Sequence, residues 1–78
     1  MILYLLKKGG KYNFVNKRDY RDLFLEIKPI IKFNPFLKEL KIGQSNFSYF
    51  LNGSDRSMSY NKLEELRKAI QDKVEKIA

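Results

Sequence analysis

The sequence predicts a mostly α-helical bundle of about four helices, preceded by a short N-terminal β-hairpin. First, apolar residues recur at helical spacing in two segments, one early in the chain and one near its end. Second, an Asn-Pro pair and an Asn-Gly pair stand in mid-chain, where such pairs begin and end helices. Third, a Gly-Gly pair lies near the N-terminus. We expect one domain over residues 1–78, with the hairpin over 1–16 and the helical core over 17–78.

The predicted hairpin pairs residues 1–8 with residues 11–16 across Gly9-Gly10. Two-residue glycine loops suit the tight turns that close hairpins. This register sets Leu5 opposite Phe14 and places two lysines opposite each other at the tip. Like charges across strands are unfavourable. A bound phosphate would relieve the repulsion, whereas the simpler interpretation is a solvated turn.

The first helix is predicted over Lys17 to Lys28. Its apolar face repeats at helical spacing and consists of Tyr20, Leu23, Phe24 and Ile27. Pro29 is predicted to end this helix, because the residue before a proline is steered away from the helical conformation. The alternative is a kinked continuation, since Ile30 and Ile31 continue the apolar face.

The second helix is short and is predicted from Pro35 to about Lys41. Asn34 is its predicted N-cap, since asparagine caps helices well and proline fits the first helical position. We expect its inward-facing residues to be Phe36, Leu37 and Leu40.

The third helix follows a turn through Ile42 and Gly43. It is predicted from about Gln44 or Ser45 to Leu51, and its buried residues are predicted to be Phe47, Phe50 and Leu51. Asn52-Gly53 ends it, because glycine readily takes the left-handed conformation found after a helix end.

The last helix is predicted from Tyr60 to Ile77, with Ser59 as its cap. Its apolar stripe consists of Tyr60, Leu63, Leu66, Ile70, Val74 and Ile77. Glu64 and Lys68 are expected to pair at the favourable four-residue spacing. This helix is nearly charge-balanced, which favours a role as scaffold.

The charge of the chain favours a polyanionic partner. Sixteen Lys and Arg oppose nine Asp and Glu, a formal net charge of +7. Such a surplus on a small domain indicates nucleic acid first, although a basic protein without such a partner is the alternative. Residues 1–41 hold ten cations and four anions, or +6, whereas residues 42–78 hold six and five, or +1.

The missing residue types argue against an enzyme. The chain has no cysteine and no histidine, which removes disulfides, thiolate metal sites and the commonest general base. We expect no catalytic residues, no metal, no cofactor and no small-molecule substrate. The apolar start MILYLL is too short to cross a bilayer and lacks a preceding basic region, so we expect a cytoplasmic protein without a membrane partner.

The middle of the chain avoids charge. No charged residue occurs from Gly43 to Ser54. Two short helices joined by a tight turn form a helix-turn-helix arrangement, and this uncharged segment covers the second of them. The stretch LKELKIGQSNFSYFLNG, Leu37 to Gly53, resembles the core of the phage Cro and repressor-type helix-turn-helix family. The trailing MSYNKLEEL resembles the start of the next helix there, so the resemblance covers Pro35 to Leu66.

The resemblance implies how the two helices are held together. Ile42, Phe47 and Phe50 fall where the family has its locking apolar residues. Two positions depart from the family pattern. Leu37 stands where a small residue is usual, and Lys41 stands where glycine is usual. Lys41 therefore needs an uncommon backbone conformation, or the turn differs.

The resemblance also implies a helix that reads bases in the major groove of DNA. Gln44, Ser45 and Tyr49 occupy the base-contacting places, with Ser48 as a further candidate. Asn46 either faces the groove or bonds locally, and Tyr49 alternatively reaches a phosphate. Glutamine pairs with adenine and serine bonds several bases, whereas charge would add affinity for any sequence because phosphates carry no sequence information.

Phosphate contacts in the family come from the start of the second helix and from the loop after the third. The corresponding candidates here, with two lysines on the same side, are Lys32, Asn34, Lys38, Lys41, Asn52, Ser54, Arg56 and Ser57. The alternative for each cation is a simple solubilising charge.

The sequence therefore predicts a sequence-specific double-stranded DNA-binding protein, a transcriptional regulator or repressor of phage or mobile-element type. Such proteins commonly bind as homodimers, here through the hairpin edge or the last turns of the C-terminal helix. One alternative is a small phage-type inhibitor or antitoxin that binds another protein. Another is an RNA-binding helical domain that stacks bases on tyrosines.

Overall fold

The computed structural model describes residues 2–77, and these residues form a mostly helical fold. The elements in chain order are α1 (Ile2–Leu6), α2 (Lys17–Ile27), α3 (Asn34–Glu39), α4 (Gln44–Leu51), a 3-10 turn (Asp55–Ser57) and α5 (Tyr60–Ile77). The predicted α2, α4 and α5 are confirmed to within one residue at each end. The described range holds five α-helices where about four were predicted, because the N-terminus adds one.

The predicted β-hairpin over residues 1–16 is wrong, since no strand forms in the described part of the chain. The N-terminal segment is the helix α1, and its Leu6 is fully buried in the core rather than paired across a ladder. Gly9 has φ +84°, and Gly10 lies so close to the α1 backbone that an added Cβ would stand 2.2 Å from the Tyr4 carbonyl oxygen. The glycines therefore let the chain turn sharply at the end of a helix, and tertiary packing stabilises a helix too short to persist alone.

Residues 12–16 cross the bundle as an irregular segment that inserts one aromatic ring into the core. Phe14 is 1% exposed and has φ +56°, a conformation that bulky residues rarely adopt. Its carbonyl oxygen accepts a 3.0 Å hydrogen bond from the Tyr60 hydroxyl, and its ring lies 4.9 Å from that of Tyr20. These contacts compensate for the backbone strain.

Helix α2 begins at a well-formed cap. The Asn16 side-chain oxygen accepts a 3.2 Å hydrogen bond from the Asp19 backbone N–H, and the Asp19 carboxylate accepts one of 3.0 Å from Val15 N–H. All four predicted apolar-face residues are buried: Tyr20, Leu23, Phe24 and Ile27. The amphipathic pattern therefore identified the core-facing side of α2.

Helix α3 begins one residue earlier than predicted. Phe33 occupies the cap position without a side-chain cap, and Asn34 is the first helical residue, so the prediction of an Asn34 cap is wrong. The centres of the Phe33 and Phe47 rings lie 4.8 Å apart. This packing holds the backbone before Asn34 against the core. Leu37 is buried at the position where a small residue was expected.

The turn between α3 and α4 depends on Lys41. Its φ of +57° is the uncommon left-handed conformation that the sequence required if the turn followed the family pattern. The Lys41 N–H donates to the Lys38 carbonyl at 3.2 Å, and the Ile42 N–H donates to the Leu37 carbonyl at 2.8 Å. This pair of bonds is the Schellman arrangement that closes a helix end. Gly43, in an extended conformation, then precedes α4.

The three predicted locking residues are all buried between α3, α4 and the rest of the bundle. Ile42, Phe47 and Phe50 are at most 9% exposed. Phe47 also lies 5.8 Å from the Phe24 ring, which joins α4 to α2. Helix α4 ends as predicted, since Gly53 has φ +116° and Ser54 N–H donates to the Tyr49 carbonyl at 2.9 Å.

A buried polar network joins α1, α2 and α5. Arg67 is 4% exposed, and its guanidinium bonds Glu64 and donates a 2.7 Å hydrogen bond to the Leu6 carbonyl at the end of α1. The Tyr20 hydroxyl also donates to Glu64, and burial followed by this bond raises the pKa of Tyr20 far above its usual range. The expected Glu64–Lys68 pair is wrong, because Glu64 turns inward to these partners.

Candidate nucleic-acid interface

Helix α4 presents an exposed, uncharged face. Its buried residues occupy one side, and the other side carries all five predicted base contacts, each of them exposed: Gln44, Ser45, Asn46, Ser48 and Tyr49. Tyr49 is 59% exposed. At 100° per residue, Ser45 and Tyr49 lie at the centre of this face, with Gln44 and Ser48 on one edge and Asn46 on the other. No predicted base contact is covered by the fold.

A groove of about 370 Å³, here called groove A, runs along one edge of α4. It is lined by Leu25, Lys28, Ile31, Lys32, Phe33, Asn34, Leu37, Gln44, Phe47, Ser48, Leu51 and Asn52. The charged members are Lys28 and Lys32, and no carboxylate among residues 2–77 lines the groove. The charged part of its lining is therefore positive, and the rest of the lining is apolar or polar and uncharged.

A smaller groove of about 130 Å³, here called groove B, lies along the opposite edge of α4. It is lined by Lys41, Ile42, Gly43, Asn46, Ser57, Met58, Ser59 and Lys62. Its charged members are again two lysines. Lys62 is already engaged, since its Nζ atom donates a 3.2 Å hydrogen bond to the Leu40 carbonyl and lies 3.5 Å from Glu65 Oε2.

The predicted phosphate contacts fall into three groups: those that line groove A, those that line groove B and those that line neither. Groove A collects Lys32, Asn34 and Asn52 beside the base candidates Gln44 and Ser48. Groove B collects Lys41 and Ser57 beside Asn46. Three further candidates, Lys38, Ser54 and Arg56, are exposed but line neither groove. The predicted site residues therefore surround α4 rather than forming one cluster.

Several cations around α4, like several elsewhere, form no ion pair within residues 2–77. Within residues 2–77, the ion pairs join Lys8 and Arg67 to Glu64, Lys11 to Glu26, Arg18 to Asp22, Arg21 to Asp55, and Lys62 to Glu65. None of them includes Lys28, Lys32, Lys41 or Arg56. These four cations are thus available to an external anion, whereas Lys62, which also lines groove B, is already paired.

Two cations on α2 hold the loop that follows α4, and sequence reasoning missed both. Arg21 pairs with the Asp55 carboxylate, and its Nε atom donates a 2.7 Å hydrogen bond to the Phe50 carbonyl. Lys17 donates a 2.9 Å hydrogen bond from Nζ to the Asp55 carbonyl. The available signal was their four-residue spacing on one face of α2. Lys28, on the wall of groove A, was also missed.

The chain matches no protein-family model, no curated protein and no solved structure. None of the helices within residues 2–77 combines the length and apolar character needed to cross a bilayer. The site is therefore interpreted from its own geometry and charge.

Proposed function

We propose that this protein binds double-stranded DNA sequence-specifically, with α4 lying in the major groove. One observation carries the proposal: the exposed face of α4 is uncharged, and a lysine-walled groove runs along each of its edges. Bases are distinguished by neutral hydrogen-bonding groups, whereas phosphates are bound by cations. The arrangement separates these two tasks in space.

The dimensions and residue types of α4 support the same proposal. A helix with its side chains is about 10–12 Å across, and the major groove of B-DNA is about 12 Å wide. Gln44 can pair with adenine through two hydrogen bonds, and the serine hydroxyls bond several bases. Tyr49, at the centre of the face, offers an aromatic ring to a thymine methyl group or a hydroxyl to a base or phosphate.

A role as a transcriptional regulator, with a homodimer on a symmetric site, is part of this proposal. A single domain of this size buries little surface on DNA, and two copies would double the contact. The last turns of α5 are the remaining candidate for the dimer surface, because the hairpin edge suggested by the sequence does not form.

Selection from a library of random duplexes tests the proposal directly. We expect a short consensus sequence to emerge, and inverted repeats in it would support a two-fold dimer. Binding to the selected duplex should survive an excess of random duplex and should weaken steeply as salt rises. A pool that yields no consensus would reject sequence-specific recognition.

A protein partner is the second candidate, and the rim of groove A favours it. Leu25, which is 45% exposed, lines this groove; Ile30, which is 70% exposed, directly precedes the lining residue Ile31, and Tyr49 is exposed on α4. Exposed apolar groups of this kind are typical of protein-binding sites. Replacing Ile30 with Gln should leave duplex binding intact if DNA is the ligand, because Ile30 lines neither groove, whereas it should weaken a protein complex seated beside groove A.

A further inference from the structure

We propose that grooves A and B each receive one of the two phosphate backbones that border the major groove, and that Lys28 is a phosphate contact in groove A. The inference rests on the proposed function, since it places the two strands of the same duplex. It adds a residue that lies before the helix-turn-helix and that no sequence motif indicates. It also assigns the predicted phosphate contacts to separate strands.

The position of Lys28 supports its contact with a phosphate. Lys28 is the exposed C-cap of α2, and it shares the wall of groove A with Lys32. Gln44 and Ser48 line the same groove. A strand whose bases meet Gln44 and Ser48 therefore has its backbone beside both lysines.

The charge of groove A supports an anionic occupant. Both of its charged lining residues are lysines, and neither has an ion-pair partner within residues 2–77. Two unpaired like charges that share a groove repel each other, and a phosphate between them removes that repulsion. The grooves beside α5 differ, because Glu39 lines both of them and Asp72 lines one.

Groove B supplies fewer free cations. Lys62 is engaged by the Leu40 carbonyl and by Glu65, which leaves Lys41 as the cation free to meet a phosphate. Binding of DNA should therefore release about two counterions at groove A and about one at groove B. This difference in released counterions can be measured, so it tests the two-strand assignment.

The salt dependence of binding to a pool of short random-sequence duplexes tests Lys28. Each lost phosphate contact should reduce the slope of log K against log salt by about 0.9. We expect this reduction in Lys28→Gln, about twice as much in Lys28→Gln with Lys32→Gln, and a single step in Lys41→Gln. The matched control is Lys7→Gln with Lys68→Gln, two exposed lysines that line neither groove.

The outcomes separate this inference from the proposed function. Salt-dependent binding with an unchanged slope in Lys28→Gln overturns the inference and leaves DNA binding intact. An equal loss in the Lys7 and Lys68 control also overturns it, because net charge would then be the cause. A wild-type protein that does not bind duplex DNA rejects both.

Neutralising single phosphates of the selected duplex as methylphosphonates tests the assignment of strands. Lys28→Gln should abolish the sensitivity to neutralisation on one strand, and Lys41→Gln should abolish it on the other. Loss of sensitivity on the same strand in both variants overturns the two-strand placement.

Discussion

The Nε atom of Arg21 donates a 2.7 Å hydrogen bond to the carbonyl oxygen of Phe50. The Arg21 guanidinium also lies 4.7 Å from the centre of the Phe50 ring and pairs with Asp55. The Phe50 carbonyl is in the last turn of α4, where helix carbonyls lack intrahelical partners and attract cations. Arg21 therefore joins α2 to the end of α4 and to the loop beyond it.

Replacing Arg21 with Gln should lower the free energy of unfolding by about 1–3 kcal/mol, because the Phe50 carbonyl loses a charged donor. Lys at this position should recover only part of the loss, since it lacks the planar fork that reaches two acceptors. Urea denaturation measures both effects. Arg18→Gln is the matched control on the same helix. Its exposed pair with Asp22 should matter by less than about 1 kcal/mol, and equal losses in both variants would contradict the assignment.

Replacing Lys41 with Gly should raise stability and weaken DNA binding at once. The left-handed conformation costs a non-glycine residue roughly 1–2 kcal/mol, and the freedom of glycine in the unfolded chain offsets about 0.5–1 kcal/mol of the relief. We expect a net gain of about 0.5–1 kcal/mol in urea denaturation. Affinity for duplex DNA should fall on every sequence.

Lys41→Gln separates charge from backbone conformation at the same position. It should reduce duplex affinity as Lys41→Gly does, because both remove the cation. It should show no gain in stability, because glutamine keeps the strained conformation. A stability gain in the Gln variant would mean that relief of charge repulsion, not of backbone strain, is responsible.

Replacing Gln44 with Ala should cost about 1–3 kcal/mol of binding free energy on the selected duplex and little on random DNA. The physical reason is the loss of hydrogen bonds to a base edge. Titrations of both duplexes with the same protein preparation measure the difference. Asn61→Ala, an exposed amide on α5, should change neither titration. Equal losses on the two duplexes for Gln44→Ala would argue against base reading.

Acid should destabilise the protein through Glu64. Burial alone would raise the pKa of Glu64, but hydrogen bonds from Arg67 and Tyr20 and the charges of Arg67 and Lys8 hold it below its usual value. The folded state thus favours the ionised carboxylate. Its contribution to stability is present above the unfolded-state pKa and is lost as pH falls through the lower folded-state pKa.

Glu64→Gln should therefore be less stable than wild type near neutral pH, and its stability should fall less steeply in acid. Urea denaturation across a pH series gives both quantities. Glu65→Gln, at the neighbouring exposed position, should follow the wild-type curve closely. Parallel acid losses in wild type and Glu64→Gln would show that another group, such as Glu26 with its pKa lowered by Lys11 and Tyr12, dominates.

The boundaries of α2, α4 and α5 were predictable because their signals are local. An apolar residue every three or four positions, the Ser59 cap and Gly53 act within one or two helical turns. The buried and exposed sides of α4 followed from the same periodicity. The left-handed Lys41 was one of two alternatives that the resemblance implied, because glycine is usual at that position in the family, and the other was a different turn.

The N-terminus shows where local signals fail. Gly9-Gly10 indicates a sharp turn, but it does not say whether strands or a helix lie beside it. Long-range contacts stabilise the helix, among them that of Arg67, which donates to the Leu6 carbonyl from 61 residues away in the chain. Arg67 occupies an apolar-stripe position between Leu63 and Ile70, and that placement was the one available sign of its burial.

From the amino acids alone came the helices after residue 16, most of their core-facing residues and an uncharged exposed face on α4. The tertiary structure decided which cations stand beside that face and which are already paired. Lys28 lines groove A because α2 packs against α4. Arg21 is already paired because the loop after α4 places Asp55 beside it. Helix periodicity depends on residues three or four positions apart, so it can be recognised in the sequence directly. The charges around a surface depend on contacts between segments far apart in the chain.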